Sequence, residues 1–296
     1  MRRLSDERGQ TMVLTVLFVT AMLGMAALVL DLGSWFRDQR DLQAEADAAA
    51  LAGAQALPDS SRASGLAAEY VRKNTGANPS VTFPTSYSIR VRLNRDNPGF
   101  FSKAAGVDSV NVKAVATARS FVPTSARWAA PFGVDEREPG LSCKPPPCVG
   151  EQVRLELDKV GPGAFRILNI DGSHGGVGSQ TLSTWILSGF AGWMPVDDWY
   201  YSDPGTRYNA TDIEAAMQSR IGTELLFPVY RKTHAQGAGF EYEVIGWVGI
   251  HLTGFNFHGS KDSWIEGSFT RVIWEGIDSA PGDSVDFGAR SIELIE

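Results

Sequence analysis

The sequence predicts an α+β protein, in which an N-terminal transmembrane helix is extended as a long helix and followed by a small α/β module and a mainly β C-terminal domain. Three observations support this prediction: an uncharged apolar run at residues 11–30, an alanine-rich stretch after it, and alternation of apolar and polar residues in the last third of the chain. The first two patterns are typical of helices, whereas strict alternation is typical of strands.

Composition excludes one class of partner. The 296 residues carry a formal net charge of −7, and 43% of them are hydrophobic. A protein that binds nucleic acid concentrates lysine and arginine on one face. The longest basic clusters here are pairs such as Arg2-Arg3 and Arg231-Lys232. We therefore predict no nucleic-acid partner.

Residues 11–30 are predicted to span a membrane. They contain no charged residue and are long enough to cross about 30 Å of hydrocarbon at 1.5 Å per residue. A cleaved signal peptide is the alternative, but its apolar region is shorter and ends at small residues. Because Asp31, Trp35 and Phe36 follow the run, the sequence favours a retained anchor whose partner is the lipid bilayer.

Flanking charge predicts the orientation of this anchor. Arg2, Arg3 and Arg8 precede the span, whereas acidic residues outnumber arginines directly after it. Cytoplasmic flanks carry the excess of positive charge. We therefore expect a single-pass protein of the cell membrane, with residues 1–10 in the cytoplasm and the bulk of the chain outside.

Residues 31–57 are predicted to continue the helix outside the membrane. Alanine, the strongest helix former, dominates the second half of this stretch, and Pro58 ends it. One helical face carries mostly small side chains, which allow close approach of another helix. That face consists of Leu42, Ala46, Ala49, Gly53 and Leu57. It either contacts another protein or packs on the protein's own outer domain.

The same segment resembles a known family. Residues 8–10 read Arg-Gly-Gln, residues 30–33 read Leu-Asp-Leu-Gly, and residues 42–54 read Leu-Gln-Ala-Glu-Ala-Asp-Ala-Ala-Ala-Leu-Ala-Gly-Ala. Together with the apolar span, these strings look like the N-terminal signature of TadE/TadG-like Flp (Tad) pilus-assembly proteins. The resemblance covers residues 8–57.

The resemblance implies a role in building or anchoring a pilus or a related cell-surface structure, with other Tad/Flp pilus-assembly proteins as partners. Pilin-like members of the family carry a glutamate five residues after the glycine at which prepilin peptidase cuts. Leu14 occupies that position after Gly9. The difference favours the permanently anchored, TadG-like form.

Residues 58–120 are predicted to form a small helix-plus-hairpin module. The helix begins after the capping residue Asp59 and buries Leu66, Tyr70 and Val71. The remaining predicted elements are a strand at residues 86–93, a turn cluster at residues 94–99, a short helical turn at residues 100–105 and a strand at residues 107–118.

Residues 121–150 are predicted to be a proline-rich connector that contains the cysteine pair. Cys143 and Cys148 are separated by Lys-Pro-Pro-Pro. In an exported domain this spacing favours a small disulfide loop, and two buried free thiols are the alternative. A zinc site would need about four ligands, so we predict no metal site.

Residues 151–296 are predicted to form the β-rich extracytoplasmic domain. Strand patterns occur at residues 153–157, 165–170, 225–230, 240–255 and 264–273, with helical patterns at residues 181–190 and 211–221. A capping box, Thr211 to Glu214, is predicted to start the second helix. The polar residues 258–262 are predicted to join the last two strands as a hairpin.

An aromatic-rich loop near residues 193–208 provides an alternative function. Its side chains would stack on a glycan or contact a protein partner, or else they pack in the core. The candidates are Trp193, Trp199, Tyr200 and Tyr201, with Tyr208 nearby. In the first case the chain is an envelope-anchored glycan- or ligand-binding module.

The sequence contains no motif that predicts catalysis. Nucleophile-elbow, phosphate-loop and zinc-protease patterns are missing, and the four histidines are scattered. We therefore predict a non-catalytic protein without a cofactor, which acts through protein–protein contact.

Overall fold

A computed structural model of the chain describes residues 7–74, 79–157, 161–202, 210–236, 239–257, 262–277 and 285–295. The chain divides into two compact units. The first comprises Met1–Ser120 and Ile292–Glu296, and the second comprises Phe121–Ser291. Long helices in the first unit and several sheets overall confirm the predicted α+β class.

The helices of the first unit are α1 (Glu7–Ala54) and α2 (Ser60–Asn74). One helix, α1, contains both the apolar run and most of the alanine-rich stretch. The Arg62 amide donates to the Asp59 carboxylate at 3.0 Å, which is the capping contact predicted at the start of α2. The buried face of α2 differs from the prediction: it consists of Ala63, Ala67 and Val71, whereas Tyr70 is exposed.

The strands of the first unit are β1 (Ser80–Thr85), β2 (Ser88–Pro98) and β3 (Ser109–Phe121), and each pairs with the next in antiparallel order. The predicted turn at residues 94–99 is wrong, because β2 continues in register with β3 as far as Pro98. The reversal occurs at residues 99–108, where a short 3₁₀ helix covers Ser102–Ala105. Residues 292–295 complete this unit, and the Ile295 amide donates to the carbonyl of Thr117.

The described part of the second unit contains many strands, most of them short, two α-helices and a 3₁₀ helix at Pro139–Leu141. Its elements are β4 (Ser125–Ala126), β5 (Phe132–Asp135), β6 (Gln152–Leu157), β7 (Ala164–Ile167), α3 (Ser179–Ser188), β8 (Met194–Pro195), β9 (Trp199–Tyr201), α4 (Thr211–Arg220), β10 (Glu224–Gln236), β11 (Gly239–Asn256), β12 (Trp264–Thr270), β13 (Val272–Ile273), β14 (Gly276–Ile277) and β15 (Ala289–Leu294). The last strand begins in this unit and ends in the first.

Six strands of the second unit pair in a closed ring, in the order β10, β5, β7, β6, β12, β11 and back to β10. The pairs β6–β7 and β5–β10 are parallel, and the other four are antiparallel. A cluster of phenylalanines lies in its core, where the ring of Phe132 is 5.9 Å from Phe165 and 5.2 Å from Phe227. Closure pairs both edges of the sheet.

Several elements of the second unit differ from the sequence prediction. Residues 121–150, interpreted as a connector, contribute the fully buried Phe132 and Val134 on β5. The capping box is wrong: Ala210 is the N-cap residue of α4, and it makes no side-chain capping bond. The predicted pairing of the last two long strands is confirmed as β11 with β12, while most of its connection, residues 258–261, lies outside the described residues.

Candidate membrane anchor and its junction with the outer region

The first part of α1 has no protein surroundings in the structure. From residue 11 to residue 30 every side chain is exposed except Ala27, which is half-buried. The hydroxyl groups of Thr15 and Thr20 donate hydrogen bonds within the helix, to the carbonyls of Thr11 and Val16, each at 2.8 Å. Such internal bonding is what hydrocarbon surroundings require. This stretch is therefore suited to contact lipid over about 30 Å of helix.

The character of α1 changes at Asp31. This carboxylate is 1% exposed, although it lies one residue beyond the apolar run. It accepts three backbone N–H groups from the loop between β2 and β3: Phe100 at 3.1 Å, Phe101 at 3.0 Å and Ser102 at 2.6 Å. Charge-assisted bonds of this kind are among the stronger hydrogen bonds in proteins. Asp31 thus fixes the loop at the end of the apolar run.

A second polar contact holds α1 against the sheet further along. The Arg95 guanidinium on β2 donates to the carboxylates of Asp38 and Glu45, each at 2.9 Å. Burial lowers the pKa of Arg95, but the bonds from both carboxylates outweigh it and leave that pKa above its ordinary value. One cation thereby joins two successive regions of α1 to the strand.

The small-residue face packs within the first unit, although α1 ends at Ala54 and not at residue 57 as predicted, so that Leu57 lies in the turn that follows the helix. Its five members are all buried: Leu42, Ala46, Ala49, Gly53 and Leu57. They lie in one core cluster with residues of α2 and the sheet, including Ala63 and Ile89. Of the two alternatives, the structure supports packing on the protein's own outer region, because a buried face is closed to a partner protein.

Sequence reasoning missed the roles of Asp31 and Arg95. A usable signal was present, since Asp31, Trp35 and Asp38 continue the helical spacing of Leu42 and Ala46 toward the membrane end. The buried face of α1 therefore begins at Asp31, and its first members are polar or aromatic where the later members are small.

The candidate aromatic residues of the second unit differ in burial and in the side chains that they contact. Tyr200 is buried at 4% exposure, and burial with the nearby charge of Asp198 raises its pKa. Trp199 stacks on His234 with ring centroids 3.9 Å apart, and Tyr201 lies 3.7 Å from the ring of His174. Tyr208 lies outside the described residues.

Trp193 has separate surroundings. It is 41% exposed, and the guanidinium of Arg127 lies 5.1 Å from the centroid of its ring. Arg127 also pairs with Glu275. Hydrogen bonds from Arg127 and Trp128 hold the pKa of Glu275 below its ordinary value, against a smaller opposing effect of desolvation. The exposed aromatic ring therefore belongs to a structural ion-pair cluster.

A cavity of about 310 Å³ opens elsewhere in the second unit, between α4 and the facing ends of β11 and β12. Its lining residues are Glu214, Gln218, Ile221, Gly254, Phe255, Asn256, Phe257 and Trp264. None of the four candidate aromatics lines it. This cavity is therefore separate from those aromatics.

The two cysteines form the predicted disulfide, between Cys143 and Cys148. Among the described residues, one group of three possible metal ligands lies close together, and it consists of these cysteines and Glu151. Because the sulfurs are bonded to each other, they are not available as thiolate ligands. The disulfide loop is fixed to its surroundings by the Cys148 amide, which donates to the carbonyl of Gly140.

These features fit one class of protein, the single-pass membrane proteins. In the described part of the chain, one helix is long and apolar enough to cross a bilayer, and it lies near the N-terminus. In comparison with known families, residues 9–56 match the Tad family model, whose description is "Putative Flp pilus-assembly TadE/G-like". The resemblance seen in the sequence is thereby confirmed. Neither a curated protein nor a solved structure matches the chain.

Proposed function

We propose that this chain is a membrane-anchored component of Flp/Tad-type pilus assembly, or of a related surface structure, and that it acts through protein–protein contact. The observation that carries the proposal is the coincidence of the family match with α1. The matched residues 9–56 contain both the exposed apolar half of α1 and its buried alanine-rich half. The matched segment therefore contains an anchor and the helix on which the first unit is built.

We propose that the N-terminus is cytoplasmic and that residues 31–296 lie outside the cytoplasm. Support comes from Arg2, Arg3 and Arg8 on one side of the span and from the excess of acidic residues on the other. The disulfide between Cys143 and Cys148 gives independent support, because disulfides persist in oxidising compartments outside the cytoplasm.

We also propose that the protein is non-catalytic. Its most clearly shifted carboxylates in the second unit are held by arginines, Asp135 by Arg137 and Glu275 by Arg127. For Asp135, burial raises the pKa, but bonds from the side chain and backbone of Arg137 outweigh it and lower the net value. Such pairs stabilise structure, and neither of these two carboxylates is poised for proton transfer. The partners expected from the family match are other Tad/Flp pilus-assembly proteins.

The experiment is an in-frame deletion in the bacterium that encodes the chain, followed by electron microscopy of surface pili. We expect the deletion to abolish or strongly reduce Flp-type pili and the full chain to restore them. A matched variant, in which a cleavable signal peptide replaces residues 1–30, exports the same outer units without the anchor and should not restore them. Normal piliation in the deletion strain would overturn the proposal.

A further inference from the structure

The loop between β2 and β3 presents apolar side chains to its surroundings. Phe100 is 74% exposed, the largest value for any large hydrophobic side chain in the described part of the protein, and Phe101 is 50% exposed. Val107, at the other end of the loop, is 42% exposed. The charged residue between them, Lys103, is also exposed. Exposed neighbouring aromatics of this kind mark a contact surface.

The loop is rigidly built. The Gly99 amide donates to the carbonyl of Asp108 and the Val107 amide donates to that of Ser102, both at 3.0 Å. Gly106, at φ 83°, closes the short 3₁₀ helix in a left-handed conformation that favours glycine. The exposure of Phe100 is thus a property of a fixed conformation.

The position of the loop along α1 identifies what it contacts. Asp31 accepts the amides of Phe100, Phe101 and Ser102, so the loop lies at the level of the first residue beyond the apolar run. In a membrane spanned by residues 11–30, this level is the boundary between acyl chains and headgroups. Aromatic side chains are enriched at that boundary, and a lysine there lies near lipid phosphates.

We propose that residues 99–107 form a second membrane contact, in which Phe100 and Phe101 enter the interface beside α1 and Asp31 acts as the positioning residue. The occupant of this apolar surface is the lipid bilayer itself. The proposal rests on the membrane anchoring proposed above and adds to it. Two attachment points would fix how the first unit lies on the membrane, whereas a single helix leaves it free to tilt and rotate.

The test uses the full chain in phosphatidylcholine vesicles that contain spin-labelled lipid. An environment-sensitive fluorophore is attached by maleimide, without reductant, to Phe100→Cys, Leu23→Cys or Tyr87→Cys. Tyr87 is a matched control because it is 46% exposed and directly precedes β2 at the end opposite to the loop, about 40 Å from Gly99 at about 3.3 Å per residue. Leu23, 66% exposed within the apolar run, reports the anchor itself.

We expect labels at residues 23 and 100 to be quenched and their emission to shift to shorter wavelength. The label at residue 100 should lie at a shallower depth than the label at residue 23. The label at residue 87 should not be quenched and should emit at the wavelength of the fluorophore in water. If the label at residue 23 is quenched and the label at residue 100 behaves like that at residue 87, the loop does not enter the membrane, although the anchor stands. If the label at residue 23 is not quenched, the anchoring itself is wrong.

The role of Asp31 is tested in the Phe100→Cys background. Asp31→Asn removes the charge that three amides share, so we expect weaker quenching at residue 100 with unchanged helix content by circular dichroism. Asp41→Asn is the matched control, because Asp41 is an exposed carboxylate on the same helix. Equal quenching in both variants would overturn the positioning role of Asp31.

Discussion

At the scale of single residues, one glycine sets how closely the two helices of the first unit approach. Gly53 is buried on α1, and a Cβ added there would lie 2.5 Å from Cδ1 of Ile89 and 3.0 Å from the carbonyl oxygen of Ala63. Ile89 is itself fully buried and has no solvent into which to move. Glycine is therefore favoured at residue 53 because a Cβ would collide with these neighbours. It is favoured there even though glycine has a poor helix propensity.

We predict that Gly53→Ala lowers the free energy of unfolding of the first unit by about 1–3 kcal/mol through overpacking. Gly33→Ala is the matched control on the same helix, since a Cβ at residue 33 meets nothing within 4 Å. The control should leave stability unchanged or raise it by up to about 1 kcal/mol through helix propensity. Amide hydrogen exchange of residues 60–74 in detergent measures both, and equal exchange in the two variants would contradict the packing argument.

Among the residues where α1 meets the outer region, some contacts could be predicted from the sequence and others could not. The face containing Leu42, Ala46 and Gly53 was predictable, because a helical period of small residues is visible within one segment. The burial of Asp31 was only partly predictable: its spacing places it on the same face, but the three amides that cover it lie 69 to 71 residues away on a loop. From the sequence alone, a carboxylate next to a membrane span is expected to be solvated. In the fold, backbone amides from the distant loop replace water as its hydrogen-bond donors.

At the scale of elements, β5 is the strand that closes the ring between β7 and β10. It pairs with β7 on one side and with β10 on the other, although it was predicted as part of a connector. Proline-rich surroundings concealed it, since Pro123, Pro131 and Pro139 flank a segment of only four residues. Such a short strand has too few residues to show alternation, and its four residues are all buried.

We predict that Phe132→Ala destabilises the second unit by about 3–5 kcal/mol, the usual cost of truncating a fully buried phenylalanine. Its ring contacts those of Phe165 and Phe227, so the truncation leaves a cavity where three rings meet. Val149→Ala is the control, because Val149 lies in the same stretch and is 58% exposed. We expect the control to shift stability by less than about 0.5 kcal/mol.

Denaturant unfolding of the full chain, followed by tryptophan fluorescence, measures this difference. If residues 121–150 act as a connector, both variants should unfold at the same denaturant concentration. A large shift for Phe132→Ala alone would establish that the segment is part of the core.

The extent of β2 was predicted wrongly, although its pairing with β3 was predicted. The antiparallel pair of β2 and β3 was predicted, but residues 94–98 resembled a turn because they contain asparagine, aspartate and proline. In the structure they extend β2, and Arg95 is held there by two carboxylates of α1. Tertiary contact overrides local turn preference at this point.

At the scale of the whole molecule, the chain combines an exposed apolar helix near its N-terminus with a disulfide in the second unit. The first feature fits a single-pass membrane protein, and the second indicates an oxidising environment. In the proposed orientation, the span separates a cytoplasmic N-terminus from the rest of the chain, and the three arginines among residues 1–10 support that proposal.

We predict that alkaline phosphatase fused after the C-terminal residue is active in cells, because that enzyme folds only outside the cytoplasm. We also predict that Cys143 and Cys148 resist alkylation until reductant is added. Changing Arg2 and Arg3 together to glutamine should lower the phosphatase activity, since it removes positive charge from the cytoplasmic flank. Changing Arg37 and Arg40 together to glutamine removes the same charge from the other flank and should leave the activity unchanged. An inactive fusion with alkylated cysteines would place the C-terminal units in the cytoplasm, whereas equal losses in both double variants would show that flanking charge does not set the orientation.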